Sequence, residues 1–459
     1  MYFSSIPFLM MFLPISVVIY WISPKRLKNL VLVLCGGTFF LWGEWDRFWA
    51  LPAVIIISYV FGLIIGRSDN KALRKVGLIT GVLLLMVILC WFKYGKSLNR
   101  YYYPKALDPS VMPTGLSFLT FMAMSYLIDI YTGKADEQTN PIKTALFLSF
   151  FPRISSGPID LYRDSAADLN DRKVSFDDIA YGCKRFVIGL GKKVLLADYF
   201  GLICSRIYSV KVNYLSGPIL WFGLILYAME IYYDFSGYSD MAVGLGRIFG
   251  FHLAENFDYP YTAESISDFW RRWHATLSAW FREYVYIPLG GNRRGNVRTA
   301  DNLLIVFLLT GIWHGSGTTF LLFGLWHGLC VILDRFIIHK FPKAVKMPLT
   351  WLQILVGWVL FRSGSVAEAA TYLEKIFTFG TGHPAYRVSQ FCDVKTLVLL
   401  VAAVLGCGLL QKLIPAVREK IDSEKELGWV QAAVLLVLFF VSLAKIIAGT
   451  YNAFIYFQF

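Results

Sequence analysis

The feature that most constrains this chain is its series of thirteen apolar runs, among them Ile6–Ile22, Phe48–Ile65, Val76–Phe92, Leu116–Tyr131, Phe320–Phe336 and Val430–Ile447. Short, Lys/Arg-rich connections separate them. A run long enough to cross a bilayer needs about 20 mostly apolar residues. With 56% of 459 residues hydrophobic, the chain has material for at most about 12 such crossings. Leu30–Trp42, Thr144–Phe151 and Leu303–Trp313 are too short to span alone. They read as half-helices or as helices covered by neighbours. The expectation is an all-α polytopic membrane protein with one membrane domain over residues 1–459. Polar segments near 152–185 and 252–328 carry the candidate chemistry.

Charged residues make up only 16%, and mean hydropathy is +0.54, which excludes a soluble enzyme of ordinary composition. The net charge of +13 would suggest nucleic acid in a soluble chain. Here the basic residues sit in short loops, as the positive-inside bias requires, so nucleic acid is not an expected partner. Lys25, Arg26 and Lys28 follow the first apolar run instead of preceding it. That order predicts an uncleaved first span with its N-terminus outside and the basic segment Arg67–Lys75 inside. Loop Lys93–Lys105 is also basic, so charge alone does not settle topology further along. The seven cysteines are scattered without a CxxC, and neither a disulfide framework nor a zinc site is indicated.

Ser265-Ile-Ser-Asp268 has the form of a capping box. It opens FWRRWHATLSAWFREYVY, which reads as one Trp-rich amphipathic helix over Ser267–Tyr286 with His274 at the margin of its apolar stripe. A helix of this kind commonly lies in the membrane interface. The glycines of IPLGGNRRG predict a flexible turn, with Arg293, Arg294 and Arg298 available to lipid or ligand phosphates. GIWHG and GLWHG follow, with His314 and His327 13 residues apart. On one helix that spacing rotates the face by about 220°, so they are not a metal pair. Gly315-Ser-Gly317 predicts a break, with His314 at a helix end and His327 near the middle of an apolar run. An ionisable residue at that depth is a functional candidate.

Two other segments have milder readings. Pro152–Arg185, rich in turn formers, is expected to be a solvated interfacial loop or a substrate entrance, with a helix starting at Ser175. Tyr232–Phe251 contains GxGxxxG, but no strand precedes it, so its small residues read as a helix-packing surface rather than a dinucleotide loop. Asp234 and Asp240 are expected to pair with Arg271, Arg272 or Arg247.

YYDFSGYSDMAVGLG, ENFDYPYTAESISDFWRRWHATLSAWFREYVYIPLGGNRRG and LTGIWHGSGTTFLLFGLWHG together resemble the membrane-bound O-acyltransferase superfamily. The branch they resemble most contains the membrane subunit of alginate O-acetyltransferase. MYFSS, KYGK at Lys93–Lys96, FPRISSGPI and the closing FIYFQF fit that branch as well. The resemblance implies about 11 transmembrane helices with re-entrant and interfacial helices around a tunnel. It also implies an acyl thioester donor such as acetyl-CoA, no tightly bound cofactor and no metal, membrane lipid as surroundings, and a plasma-membrane or inner-membrane location. A polysaccharide acceptor and an extracytoplasmic acetyltransferase partner are implied too. The invariant histidine of the family falls on His327, its second polar position on His274, and the first WHG box on His314. Acyl transfer needs a base for the incoming hydroxyl, and a low-dielectric site keeps a histidine in its neutral, base-competent form. His327 is the expected general base, and His274 the group that orients substrate or stabilises charge. D-alanyl transfer by the same fold and a transporter or flippase without acyl chemistry are the alternatives.

Overall fold

The computed structural model describes residues 1–98, 112–155, 157–423 and 428–449. Part of the basic loop Lys93–Lys105 and the closing FIYFQF lie outside them. Among the described residues helix is the only extended regular structure, with no strand and one isolated bridge, Phe257 to Trp273. Among the described residues, six helices are long and apolar enough to cross a membrane: Trp45–Arg67, Lys71–Gly95, Thr318–Phe336, Lys343–Arg362, Val394–Leu413 and Trp429–Ile447. Phe8–Ile22, Lys28–Gly43 and Leu116–Tyr131 are shorter apolar helices. All seven cysteines are free thiols.

The chain forms two compact units. One comprises Met1–Leu190, Tyr238–Glu255 and Glu424–Val441, and the other Gly191–Gly237, Asn256–Ser423 and Ser442–Phe459. In the first, small residues let helices touch. A Cβ on Gly182 or on Gly244 would press on the other's carbonyl oxygen, so the GxGxxxG segment is a packing surface as expected. The helix Phe176–Gly191 begins as its sequence predicts: Asp178 accepts from Ser175 N at 2.9 Å, and Ser175 Oγ accepts from Asp178 N at 3.1 Å.

The solvated-loop expectation for Pro152–Arg185 fails over its first part. Arg153 is fully buried, with Nη1 donating to Asp160 (3.3 Å) and Ser165 (3.0 Å). Its guanidinium lies over the rings of Phe147 and Phe150 at 5.2 and 5.4 Å. Pairing with Asp160 and ring stacking offset part of the cost of burying this charge, while Nε and Nη2 have no hydrogen-bond partner among the described residues. Asp240 takes Arg185 at 2.5 Å, and Arg247 takes Asp178 at 3.1 Å.

In the second unit, helix Gly295–His314 packs on Thr318–Phe336, which turns back as Lys343–Arg362. The leading glycines of the two WHG boxes make the first contact possible. A Cβ on Gly311 would meet the Phe320 carbonyl, and one on Gly324 would meet that of Phe307. The break at Gly315–Gly317 falls where the glycines predict it. Asp234 has a lysine partner that the sequence reading did not name. It pairs with Lys193 at 2.9 Å, and Lys193, on a π turn Lys192–Ala197, also holds Asp198 at 2.6 Å. Arg272 instead serves Asp268, at 3.0 Å.

Candidate functional site

The Trp-rich segment is not one helix. Ser265 caps Ile266–Arg272, its side chain accepting from Asp268 N. The helix stops there, and a second one, Ala275–Phe281, starts beyond His274. The stretch Asn256–Asp258 causes the break. Asp258 N donates to Arg272 O and Ala275 N donates to Asn256 O, both at 3.0 Å, which takes both groups out of the helical ladder. His274 is left in the left-handed region, φ +47° and ψ +50°. A non-glycine residue there stores on the order of 1–3 kcal/mol, and such strain clusters at functional sites. Phe269, Trp273, Leu277, Trp280 and Phe281 are buried in the protein, so the apolar stripe builds a core rather than an interfacial anchor.

His274 is 1% exposed, and its surroundings fix its tautomer. Asn256 Oδ1 faces Thr276 N at 3.3 Å, Thr276 Oγ1 at 2.8 Å and His274 Nδ1 at 3.1 Å. A backbone N–H can only donate, so the Asn256 atom at the centre is the oxygen. His274 Nδ1 therefore carries the hydrogen, and Nε2 carries the lone pair. Burial lowers the His274 pKa to about 3, so the ring is neutral at physiological pH. His274 is thus a hydrogen-bond acceptor at Nε2.

A cavity of about 560 Å³ meets this residue. His274, Leu277, Phe281 and Phe307 are its buried walls, and Trp270 is half-buried. Exposed Arg271, Arg282, Arg335 and His339 also line it, with Lys346, against one carboxylate, Asp334. The sequence assigned His339 no role. A basic opening leading to apolar walls and a neutral acceptor suits an amphiphilic, phosphorylated ligand.

His327 lies behind this cavity. Trp270 meets it edge-on with ring centroids 4.9 Å apart, and Phe323 does so at 4.7 Å. It is 1% exposed, and its Nδ1 has no hydrogen-bond partner among the described residues. Its Nε2 lies against Gly357 of helix Lys343–Arg362, where a Cβ would collide with the ring. His314, at the end of Gly295–His314, is 3% exposed and packs on Phe323 and Phe361 at 5.7 and 5.1 Å. The structure therefore gathers all three histidines into one aromatic cluster but gives them different places: His274 on the cavity wall, His327 one ring behind it, and His314 across Phe323. Among the described residues, no trio of His, Cys, Asp or Glu is grouped to hold a metal.

Asn256 and Gly357 escaped the sequence reading. ENFDYP shows an asparagine but not its partner, and the glycine of VGW is one of 37. Asn256 can be tested through pH. Asn256→Asp keeps the accepting oxygen but sets a negative charge beside the imidazole, favouring its charged form and raising its pKa. As pH falls, the variant protonates Nε2 first. Any activity that needs the neutral ring should then be lost on acidification at a higher pH in the variant than in wild type. Superimposable pH profiles would show that Asn256 does not govern His274.

Residues 78–368 match the membrane-bound O-acyltransferase (MBOAT) family. The chain is 35% identical over 493 residues to the probable alginate O-acetylase AlgI of Pseudomonas putida, with 100% of both chains covered. It is 29% identical over 513 residues to a peptidoglycan O-acetyltransferase of Helicobacter pylori, covering 100% of this chain and 97% of that one. A teichoic acid D-alanyltransferase of Bacillus subtilis is 33% identical over 215 residues, 44% of this chain and 53% of the other. The chain belongs to the membrane-bound O-acyltransferase family. It is a multi-pass membrane enzyme that transfers acyl groups to hydroxyls.

Proposed function

We propose that this enzyme takes an acetyl group from a cytoplasmic thioester, acetyl-CoA or a carrier-bound equivalent, and delivers it across the membrane for O-acetylation of an extracytoplasmic polysaccharide. Delivery is direct or through a partner acetyltransferase. The carrying observation is the cavity that joins a basic opening to neutral His274, with His327 one ring behind. His327 takes the proton of the acceptor hydroxyl as the oxygen attacks the thioester carbonyl. The O–C bond forms, the C–S bond breaks, and the proton passes to the departing thiolate. His274 Nε2 accepts a hydrogen bond and orients the substrate, and His314 supports the cluster. The reading includes about 11 crossings around a tunnel, an N-terminus outside the cell, and an inner-membrane location.

Acetyl is favoured over D-alanyl because the acetyl-transferring relatives align along the whole chain and the D-alanyltransferase along less than half. The test is protein in liposomes with labelled acetyl-CoA. An acyltransferase releases CoA in proportion to enzyme and acceptor; a transporter or a scaffold releases none.

A further inference from the structure

Attack on a thioester carbonyl puts negative charge on the carbonyl oxygen, and a donor aimed at that oxygen is commonly the largest single aid to acyl transfer. Neither histidine supplies one. His274 spends its one hydrogen on Asn256, so its Nε2 only accepts. His327, one ring behind the cavity, is assigned the proton of the acceptor hydroxyl. The cationic groups Arg271, Arg282, Arg335 and Lys346 belong to the basic opening. The chemistry calls for a neutral donor on the cavity wall close to His274.

That wall is built with a helical period. His274, Leu277, Ser278, Phe281 and Arg282 line the cavity. They occupy i, i+3, i+4, i+7 and i+8, one face of Ala275–Phe281 and the residues flanking it. Ser278 N donates to His274 O at 3.1 Å, so the two residues are one turn apart. Side chains so spaced are neighbours, with Cβ atoms about 5–6 Å apart. Arg282 is a further turn along, about 6 Å toward the basic opening. Ser278 is therefore the first polar side chain met on this face beyond His274, with buried Leu277 and Phe281 beside it. It is half-buried, and its Oγ forms no hydrogen bond among the described residues.

The other neutral donors of the cavity are committed or lie elsewhere. Thr310 Oγ1 donates to Val306 O at 2.9 Å. The Trp270 indole nitrogen is enclosed in protein and is not exposed on the cavity surface. Ser265 and Ser267 stand at the start of Ile266–Arg272. There Ser267 N donates to Asp334 at 3.2 Å, next to Arg335 of the basic opening. Tyr286 is one turn beyond Arg282, also on the basic side. Ser278 alone combines an uncommitted hydroxyl with a place one turn from His274.

We propose that Ser278 is a catalytic hydrogen-bond donor: its hydroxyl donates to the carbonyl oxygen of the acyl thioester and holds it more strongly as that oxygen gains charge. The proposal rests on the thioester reading of the cavity. Its first test reads a bound carbonyl and needs no turnover, so failure of acyl transfer and failure of this donor are distinguishable. Full-length protein in detergent, without acceptor, is loaded with acetyl-CoA isotopically labelled at the thioester carbonyl carbon, and the isotope-edited infrared band is recorded. A donated hydrogen bond weakens the C=O bond, so the wild-type band should lie at lower wavenumber than that of Ser278→Ala. Ser278→Thr, which keeps the hydroxyl, should restore it. With acceptor added, Ser278→Ala should lower kcat by at least about tenfold, the scale of one hydrogen bond to a charged oxygen. KM should change little, as expected for an interaction that strengthens in the transition state. Coincident bands in wild type and Ser278→Ala, or wild-type kcat in Ser278→Ala, would overturn the assignment. A wild type that binds no acetyl-CoA would overturn the thioester reading and the assignment with it. The band shift without acyl transfer would support the donor and remove the transfer reading.

Discussion

His327→Ala should lose acetyl transfer by about 10²- to 10⁴-fold, the usual cost of removing a general base. That range corresponds to about 3–5 kcal/mol of barrier. The residue sits mid-helix in Thr318–Phe336, held by ring edges rather than by a hydrogen bond at Nδ1. A histidine kept for structure alone would have its nitrogens satisfied, because an unpaired polar atom in an apolar interior is costly. His327→Gln keeps size and hydrogen bonding without the basic nitrogen and should not rescue the rate. His314→Ala should be the milder change, since His314 packs at a helix end across Phe323. Rates are compared with thermal stability in detergent. A stable His327→Ala enzyme working at wild-type speed would remove the base assignment.

Gly357→Ala should cost about 10²-fold although it deletes no functional group, since a misplacement of about 1 Å can cost that much. In a helix interior this change ordinarily stabilises by about 0.5–1 kcal/mol. Here the added methyl collides with His327 Nε2 and must push the imidazole away. The two effects oppose each other in stability and not in activity. The expected protein is therefore folded and slow. In a His327→Ala background the collision disappears, and the same methyl should raise the melting temperature without further change in the residual rate. Wild-type activity in the single variant would mean that the position of His327 is not critical.

Local signals reached far into this fold. Leu116–Tyr131 begins and ends where its apolar run does, and Ser265 and Ser175 open helices through the contacts their spacing implies. Gly315–Gly317 separates two helices, placing His314 and His327 as expected. These features are encoded within a few residues. What the sequence hid was set by distant partners. The helical period of Ser267–Tyr286 is unbroken as a string, yet Asn256–Asp258 pairs across residues 272–275 and turns His274 into a left-handed hinge. Arg153 looked solvated because Asp160, Ser165 and the rings that cover it converge only in the fold. Lys193 claims Asp234 through a π turn that no composition rule announces. Gly357 gains meaning only from the histidine that faces it on the neighbouring helix.

Sided proteoliposomes provide the most direct measurement of acyl transfer across the membrane. Labelled acetyl-CoA is added outside vesicles that enclose the oligosaccharide acceptor, and ester-linked label is counted inside. With the basic cavity facing outward, label should accumulate on the enclosed acceptor while CoA appears outside, and His327→Ala vesicles should do neither. Label confined to the outer compartment, or enclosed acceptor acetylated equally in His327→Ala vesicles, would contradict the account.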